Sequence, residues 1–384
     1  MFDFPFYFNE DHELFRTTVR KFAEGQLKPH AREWEDRCDY PREIFKEFAE
    51  MGFLGIRFPE RYGGTALDYW YTCILCEELM RSGMVGLPVD MLAHAEFAIG
   101  VINDEGTEEQ KEEFLVPAVR GERIAALGVT EPDFGSNVAG IRTTAKRAGA
   151  DYVVNGSKTF ITNGNTADFV TLAVRTGGEG PGGLSLVILP TDVKGFSVGR
   201  SLKKMAANTS HTAELFFDDC RIPTRYLLGE EGRGFGYILD HFQGERLVVT
   251  FFVESMMQVA YEEAVRYGHQ REVFGRPVIQ HQVWRHRMAD VLTTIMAGKL
   301  FTYFAVDRFV RTKNAHSEIS MAKNFVTENA KRVTAECMQI FGGYGIMDEY
   351  EVSRIYREVS GFTIGAGTSE IMREIIYRCS IGNQ

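Results

Sequence analysis

The chain has 384 residues, 44% of them hydrophobic, and a formal net charge of -10. So much apolar material exceeds one ordinary core, and two or three domains are expected. The lack of a long basic stripe argues against a nucleic-acid partner, and the lack of an uninterrupted apolar run of bilayer length argues against a membrane span.

In chain order, MFDFPFYFNEDHELF opens aromatic but acidic, without the basic start of a signal peptide or the Arg-rich character of a transit peptide. A cytoplasmic chain, or a matured one of the mitochondrial matrix, is expected. Without secretion, the sequons at Asn155 and Asn208 carry no meaning. Residues 10–126 read as helices. Leu14, Phe15, Val19, Phe22 and Leu27 recur at helical spacing, Gly25 and Pro29 punctuate them, Pro41 opens REIFKEFAEMGF and Gly52 ends it. RYGGTALDY reads as a loop, and further helices are expected from Tyr69 to Arg81 and from Thr107 to Arg120. Cys73 and Cys76 form a CxxC, but three residues apart on a helix and with no second ligand pair they read as core thiols.

Near Ile124 the period changes to two. AALGVTEP, TTAKRAGADYVVNGSKTFITNG, DFVTLAVRT, GLSLVILP and TAELFFDD read as strands, with Asn155-Gly156 signalling a hairpin and TGGEGPGG a flexible connection. GEEGRGFG at 229–236 reads as a β-to-α linker rather than a phosphate loop, because strand–GxGxxG–helix order is missing. From Gly234 three long amphipathic helices follow, suited to a four-helix bundle, and their wide apolar faces suggest burial against another subunit. The expected fold class is α+β: an N-terminal helical domain at 1–126, a middle β barrel or sandwich at 127–232 and a C-terminal bundle at 233–384. No metal site is expected, since HExxH is missing and His281 and His286 stand five apart.

Four stretches are dense in small and polar residues where a core would not need them: VTEPDFGSN at 129–137, FITNG at 160–164, QREVFGRP at 270–277, and QIFGGYG with IGAGTSE at 339–345 and 364–370. In this order and spacing the whole chain resembles the acyl-CoA dehydrogenase family. The resemblance implies FAD as cofactor, lying between the β domain and the C-terminal helices. It implies that Leu127, Val129, Thr130, Gly135 and Ser136 meet the flavin, with Ser136 also near the CoA arm. Phe160, Ile161 and Thr162 match the strand behind the flavin, where the family usually has Trp at position 160. Arg271, Phe274 and Gln282 match positions reaching the FAD of a neighbouring subunit. Gln339, Gly342 and Gly343 match a cradle for the adenine–diphosphate half, and Thr368 and Glu370 the helix start beside FAD. A homotetramer built as a dimer of dimers is likewise implied. Asp133, Phe134 and Asn137 depart from the common pattern.

The family removes a proton and a hydride from the α and β carbons of an acyl-CoA, which needs a positioned base and donors to the thioester oxygen. Most members carry the base directly before the Gly-Thr of the last motif, where this chain has Ala366. A subset resembling isovaleryl-CoA and long-chain acyl-CoA dehydrogenases carries it on the first long C-terminal helix, within Glu-Arg-Leu. Gly244-Glu245-Arg246-Leu247 stands there, which implies Glu245 as the base. Ala366 keeps its backbone N–H as a donor to the thioester oxygen. Arg246 matches a residue near the pantetheine or the base; alone, it reads equally as half of a salt bridge.

Gly365-Ala366 are small where many relatives carry Tyr-Glu, which leaves room for a branch, and Gly365 and Gly367 are expected beside the substrate with Ser136 and Arg246. KMAANTSHTAELFFDDCRIP looks more like the long-chain enzyme. A medium or long acyl chain, straight or 3-methyl-branched, satisfies both, and fatty-acid β-oxidation is the implied setting. Electron-transferring flavoprotein is the implied acceptor. The related oxidases, usually longer, are disfavoured because the chain ends soon after GTSE. The rivals are a flavin monooxygenase on the same fold and a non-enzymatic FAD- or acyl-CoA-binding protein.

Overall fold

A computed structural model of the chain describes residues 6–382, so the opening MFDFP lies outside the described residues. The chain forms two compact units. One takes Met1–Arg32, Tyr69–Met84 and Arg246–Gln384; the other takes Glu33–Asp68 and Val85–Glu245. The N-terminal helices are thus shared between the two units.

The second unit is organised by one eight-stranded sheet. In chain order its strands are β1 (Ala125–Gly128), β2 (Thr144–Ala148), β3 (Asp151–Thr162), β4 (Phe169–Arg175), β5 (Leu184–Pro190), β6 (Phe196–Ser201), β7 (Thr212–Pro223) and β8 (Leu227–Leu228). They run β6-β7-β3-β2-β4-β5-β8, with β1 joined to β4 in parallel. The expected barrel or sandwich is therefore a single open hydrogen-bonded path that branches at β4. Val154, Ile161, Val170, Leu172, Ile188 and Leu215 from the sheet share one core with Ile99, Ile102, Phe114 and Leu115 from helical segments. Phe114 sits edge-on to Phe169 and Tyr226, 5.2 and 5.0 Å between centroids. Thr107 caps its helix in a capping box with Gln110, whose Nε2 also donates to the carbonyls of Arg225 and Leu227. β6 and the helices Gly86–Leu92 and Ile99–Glu105 were not foreseen.

Asn155-Gly156 is not a hairpin turn. β3 runs straight through it, and the reversal between β2 and β3 falls at Gly149-Ala150. The pairing of β3 with β7 shifts register between Val154 and Gly156. Gly156 has φ +146°, and a Cβ there would lie 2.6 Å from Thr143 Oγ1. Asn155 exchanges hydrogen bonds with Asp219 opposite, so the dipeptide serves a bulge. AALGVTEP likewise stays a strand only to Gly128.

Two buried polar groups tie this sheet at its functional edge. His94 is fully buried; its Nδ1 accepts from the Ala125 N–H at 2.9 Å and its Nε2 lies 3.1 Å from the Ala118 carbonyl. That pairing requires the neutral ring with its proton on Nε2. Lys158, fully buried in β3, donates to the Val129 carbonyl and to Glu131 Oε1, both at 2.9 Å. Glu131 also accepts from the Arg142 and Thr143 N–H groups. Burial pushes the Lys158 ammonium down to about 8, with Glu131 opposing. Burial also works against the Glu131 charge, but Lys158 and the donated hydrogen bonds hold its pKa below the usual carboxylate value. The pair is ionised at neutral pH.

In the first unit, the helix Tyr69–Leu79 is buried on all sides and carries Cys73 and Cys76 as core thiols. It packs on Glu10–Phe22, which Asn9 caps; Val19 and Phe22 face inward, while Leu14 is exposed. The long helices are Gly234–Gln270, continuing from the other unit, Gln282–Thr312 and His316–Gln339. His316–Gln339 packs against Gln282–Thr312, Glu351–Glu358 and Ser369–Ser380. Among the described residues, Gln282–Thr312 alone is long and apolar enough to cross a bilayer by length and composition. Its Lys299 is mostly buried and ion-pairs with Glu77 and Glu254 at 3.5 and 3.7 Å, as in a core helix of a globular unit.

Two outcomes are expected. Burial drops His94 from 6.5 to about 4, so its neutral form stabilises the fold above pH 6.5, and that contribution is lost as pH falls toward 4. The loss amounts to about 3 kcal/mol, and a series of thermal melts should show a shallower acid slope for His94→Gln. Lys158→Met leaves Glu131 buried without its cation and should cost about 3–5 kcal/mol in denaturant unfolding. The double variant Lys158→Met/Glu131→Gln should recover much of that; an additive loss would show that the two do not act as a pair.

Candidate functional site

In the second unit the ladder brings together residues expected at one edge of a cofactor. β1 leads into Val129-Thr130, and the Thr159 N–H donates to the Thr130 carbonyl at 2.9 Å, so this turn is stitched to β3 beside the Lys158–Glu131 pair. A second register shift between β3 and β7 falls between Lys158 and Ile161. There Phe160 takes φ +59° and stands 68% exposed between the buried Thr159 and Ile161. A bulge thus turns one large aromatic outward from a strand whose neighbours face the core. Thr162 and Leu127 are half-buried, while Gly135 and Ser136 lie on the exposed limb of the turn. A Cβ at Gly135 would meet nothing within 4 Å. Asn163, buried with φ +61°, donates to the Asp90 and Ala125 carbonyls and holds the end of β3 to the start of β1.

Glu245 is half-buried in the helix Gly234–Gln270, and its Oε2 is screened from solvent. Arg246, the next residue, is buried in the first unit. Its Nε would lie 3.9 Å from a Cβ at Gly367, so the helix that carries Glu245 reaches the Gly365–Gly367 loop at Arg246. Ala366 and Gly367 are both left-handed, at φ +54° and +93°. A Cβ at Gly367 would also come within 2.8 Å of Met372 Cε, so glycine is required there. The Ile364 and Gly365 N–H groups donate to the Gly361 carbonyl, whereas the Ala366 N–H makes no hydrogen bond among the described residues. Lys323, 1% exposed, donates to the Phe362 and Gly367 carbonyls at 3.2 and 2.7 Å.

Thr368 caps the helix Ser369–Ser380, accepting from the Ile371 N–H. Glu370 in its first turn is held below its ordinary value by its own backbone N–H and by Thr368. Gln339 ends the helix His316–Gln339, and Gly342 and Gly343 follow with open space where a Cβ would stand; Gly342 has φ +59°. Arg271, Phe274 and Gln282 form a separate exposed group around the small hairpin of β9 (Glu272–Val273) and β10 (Arg276–Pro277). Phe274 at its tip is 97% exposed, and left-handed Phe274 and Gly275 make the tight turn.

Sequence reasoning missed Lys158, Asn163 and Lys323. Lys158 left a signal, being a lone cation at an inward position of a strand pattern; Lys323 left none, since a lysine on a helix normally reads as solvated.

The sequence matches the family models for the N-terminal domain (residues 9–122), middle domain (126–220) and C-terminal domain (232–381) of acyl-CoA dehydrogenase. It is 36% identical to the mouse mitochondrial long-chain specific acyl-CoA dehydrogenase, covering 97% of this chain and 86% of that protein. The fold superposes on an acyl-CoA dehydrogenase from Geobacillus kaustophilus at TM-score 0.93 and 40% identity, covering 97% and 98% of the two chains. It also superposes on a glutaryl-CoA dehydrogenase from Mycobacterium smegmatis, solved in complex with FADH2, at TM-score 0.93 and 30% identity over 99% and 97%. With all three domain models matched in order, the chain belongs to the acyl-CoA dehydrogenase family.

Proposed function

We propose that this protein is an FAD-dependent acyl-CoA dehydrogenase that converts an acyl-CoA to the trans-2-enoyl-CoA, with Glu245 as the α-proton base. The observation that carries this reading is the unengaged Ala366 N–H, in a loop without a carboxylate that abuts the helix bearing Glu245.

The residues fit the cofactor. Phe160 offers an exposed aromatic face, Gly342 and Gly343 leave room for close backbone approach, and the Thr368-capped helix presents orphan N–H groups to an anion. Val129, Thr130, Ile161 and Thr162 would hold the flavin edge, Ser136 the junction with the CoA arm, and Arg271, Phe274 and Gln282 the FAD of a neighbouring subunit in a homotetramer. When bound, FAD supplies the two-electron acceptor for the β hydride. Glu245 takes the α proton, and the Ala366 N–H donates to the thioester oxygen as negative charge develops there. Gly365 and Gly367 keep the loop free of bulk near the β carbon, and Arg246 lies beside it. Electrons leave to an electron-transferring flavoprotein, in the bacterial cytoplasm or the mitochondrial matrix.

For the substrate we propose a medium or long acyl chain, straight or 3-methyl-branched. The mouse long-chain relative and the small loop support it.

The test adds straight and 3-methyl-branched acyl-CoAs anaerobically to the flavin-loaded protein and follows oxidised flavin absorbance. Wild type should bleach, fastest with its own substrate class, and Glu245→Gln should slow bleaching by at least about 10³-fold. Equal bleaching in the variant would move the base elsewhere. Absence of bleaching in wild type, with oxygen uptake on NAD(P)H instead, would favour a monooxygenase.

A further inference from the structure

Lys323 stands on the helix His316–Gln339, where a charge would ordinarily face water. It is instead 1% exposed, and its ammonium donates to the Phe362 carbonyl at 3.2 Å and the Gly367 carbonyl at 2.7 Å. Those carbonyls bracket the loop containing Gly365 and Ala366. A short 3-10 turn at Val359–Thr363 leads into this span, and Ile364 and Gly365 bond back to the Gly361 carbonyl just before it. Among the described residues no group engages the Ala366 N–H, and its residue sits at a left-handed φ that an alanine holds only under constraint.

Burying an ammonium is costly unless its donors are matched, and one that is matched makes strong, charge-assisted bonds. Among the groups that meet this ammonium are carbonyls at the two ends of the loop. With both carbonyls drawn to one nitrogen, the intervening peptide planes cannot swing without breaking a bond shielded from water. The Thr327 hydroxyl, bonded to the Lys323 carbonyl one turn on, belongs to the same helix face.

We propose that Lys323 is a positioning residue for the dehydrogenation, clamping the 362–367 loop so that the Ala366 N–H is aimed at the thioester oxygen. It touches neither substrate nor cofactor. This rests on the reading of Ala366 as the thioester donor and goes beyond it by naming what holds that donor in place. Misplacing one such donor by about 1 Å is expected to cost about 10²-fold in rate.

The test uses the flavin-loaded protein and 3-thiaoctanoyl-CoA. Its sulfur occupies the β position, so the α C–H bond can break, with the proton passing to Glu245 and the electron pair to the thioester oxygen, while no hydride can leave. The anion beside oxidised flavin is read as long-wavelength absorbance against pH. In Lys323→Met this ionisation should require a pH at least about one unit higher than in wild type, a tenfold loss of anion stabilisation. With acyl-CoA substrate, kcat should fall about 10²-fold with KM within a few-fold, and amide exchange over 361–368 should quicken whether or not analogue is present. Lys323→Gln, which keeps an uncharged amide NH2 as donor, should fall between the two. If either folded variant ionises the analogue at the wild-type pH, the proposal is overturned; it falls too if neither variant retains flavin, because the residue is then structural. Failure of the base reading looks different. Wild type would then not ionise the analogue at all, or Glu245→Gln would ionise it equally, while amide exchange would still report on the clamp.

Discussion

The ammonium of Lys158 is the contact on which the turn between β1 and β2 depends. The segment after β1 must leave the ladder to present its backbone outward, and its carbonyls then lose their strand partners. An unsatisfied carbonyl in the interior is costly. Lys158 reaches from β3 to take the Val129 carbonyl and pairs with Glu131, which in turn accepts two N–H groups from the far limb of the turn. One buried ion pair thus closes the excursion from Val129 to Thr143 at both ends, Lys158 holding the near limb and Glu131 the far one. Lys158 and Phe160 lie two apart on the same strand, and the register shift between Lys158 and Ile161 is what sends the first inward and the second outward.

The first unit solves the same problem in the same way. The Gly365–Gly367 loop must present a backbone donor, and it is followed by a helix whose first N–H groups are also unsatisfied. Lys323 takes its carbonyls as Lys158 takes that of Val129. Lysine suits this because its three donors sit on a flexible stem and can meet two irregularly placed oxygens. Irregular backbone at a site is then held by side chains coming from regular elements, whose own positions are fixed by packing.

Much of this was legible in the sequence, and the parts that were not share a cause. The long helices and the buried strands follow from apolar period. Asn155-Gly156 misled because a local signal for a turn is the same as one for a bulge: both need a residue at positive φ. What separates them is whether Val154 and Ser157 find partners in a single neighbour, β7, and that is a long-range fact. Lys158 and Lys323 were passed over because composition assigns lysine to water. The site positions at Phe160, Ala366 and the glycines came from resemblance, while the reason each can occupy its place, a bulge or a left-handed turn, came only with the backbone.

Moving the base from the loop to the helix changes what the loop must do. A glutamate in the loop would have to be restrained as a side chain while its own backbone served the thioester oxygen, so one segment would set both the base and the donor. With Ala366 there, the loop has only its N–H to place, and small residues flank it. On the proposed assignment the base, Glu245, sits on a helix whose register fixes its direction. Arg246 follows Glu245 directly in the chain, and its Nε would lie 3.9 Å from a Cβ at Gly367. On this division of labour the space left by the missing carboxylate belongs to the acyl chain, and the accuracy of the donor rests on what holds the loop's carbonyls from behind.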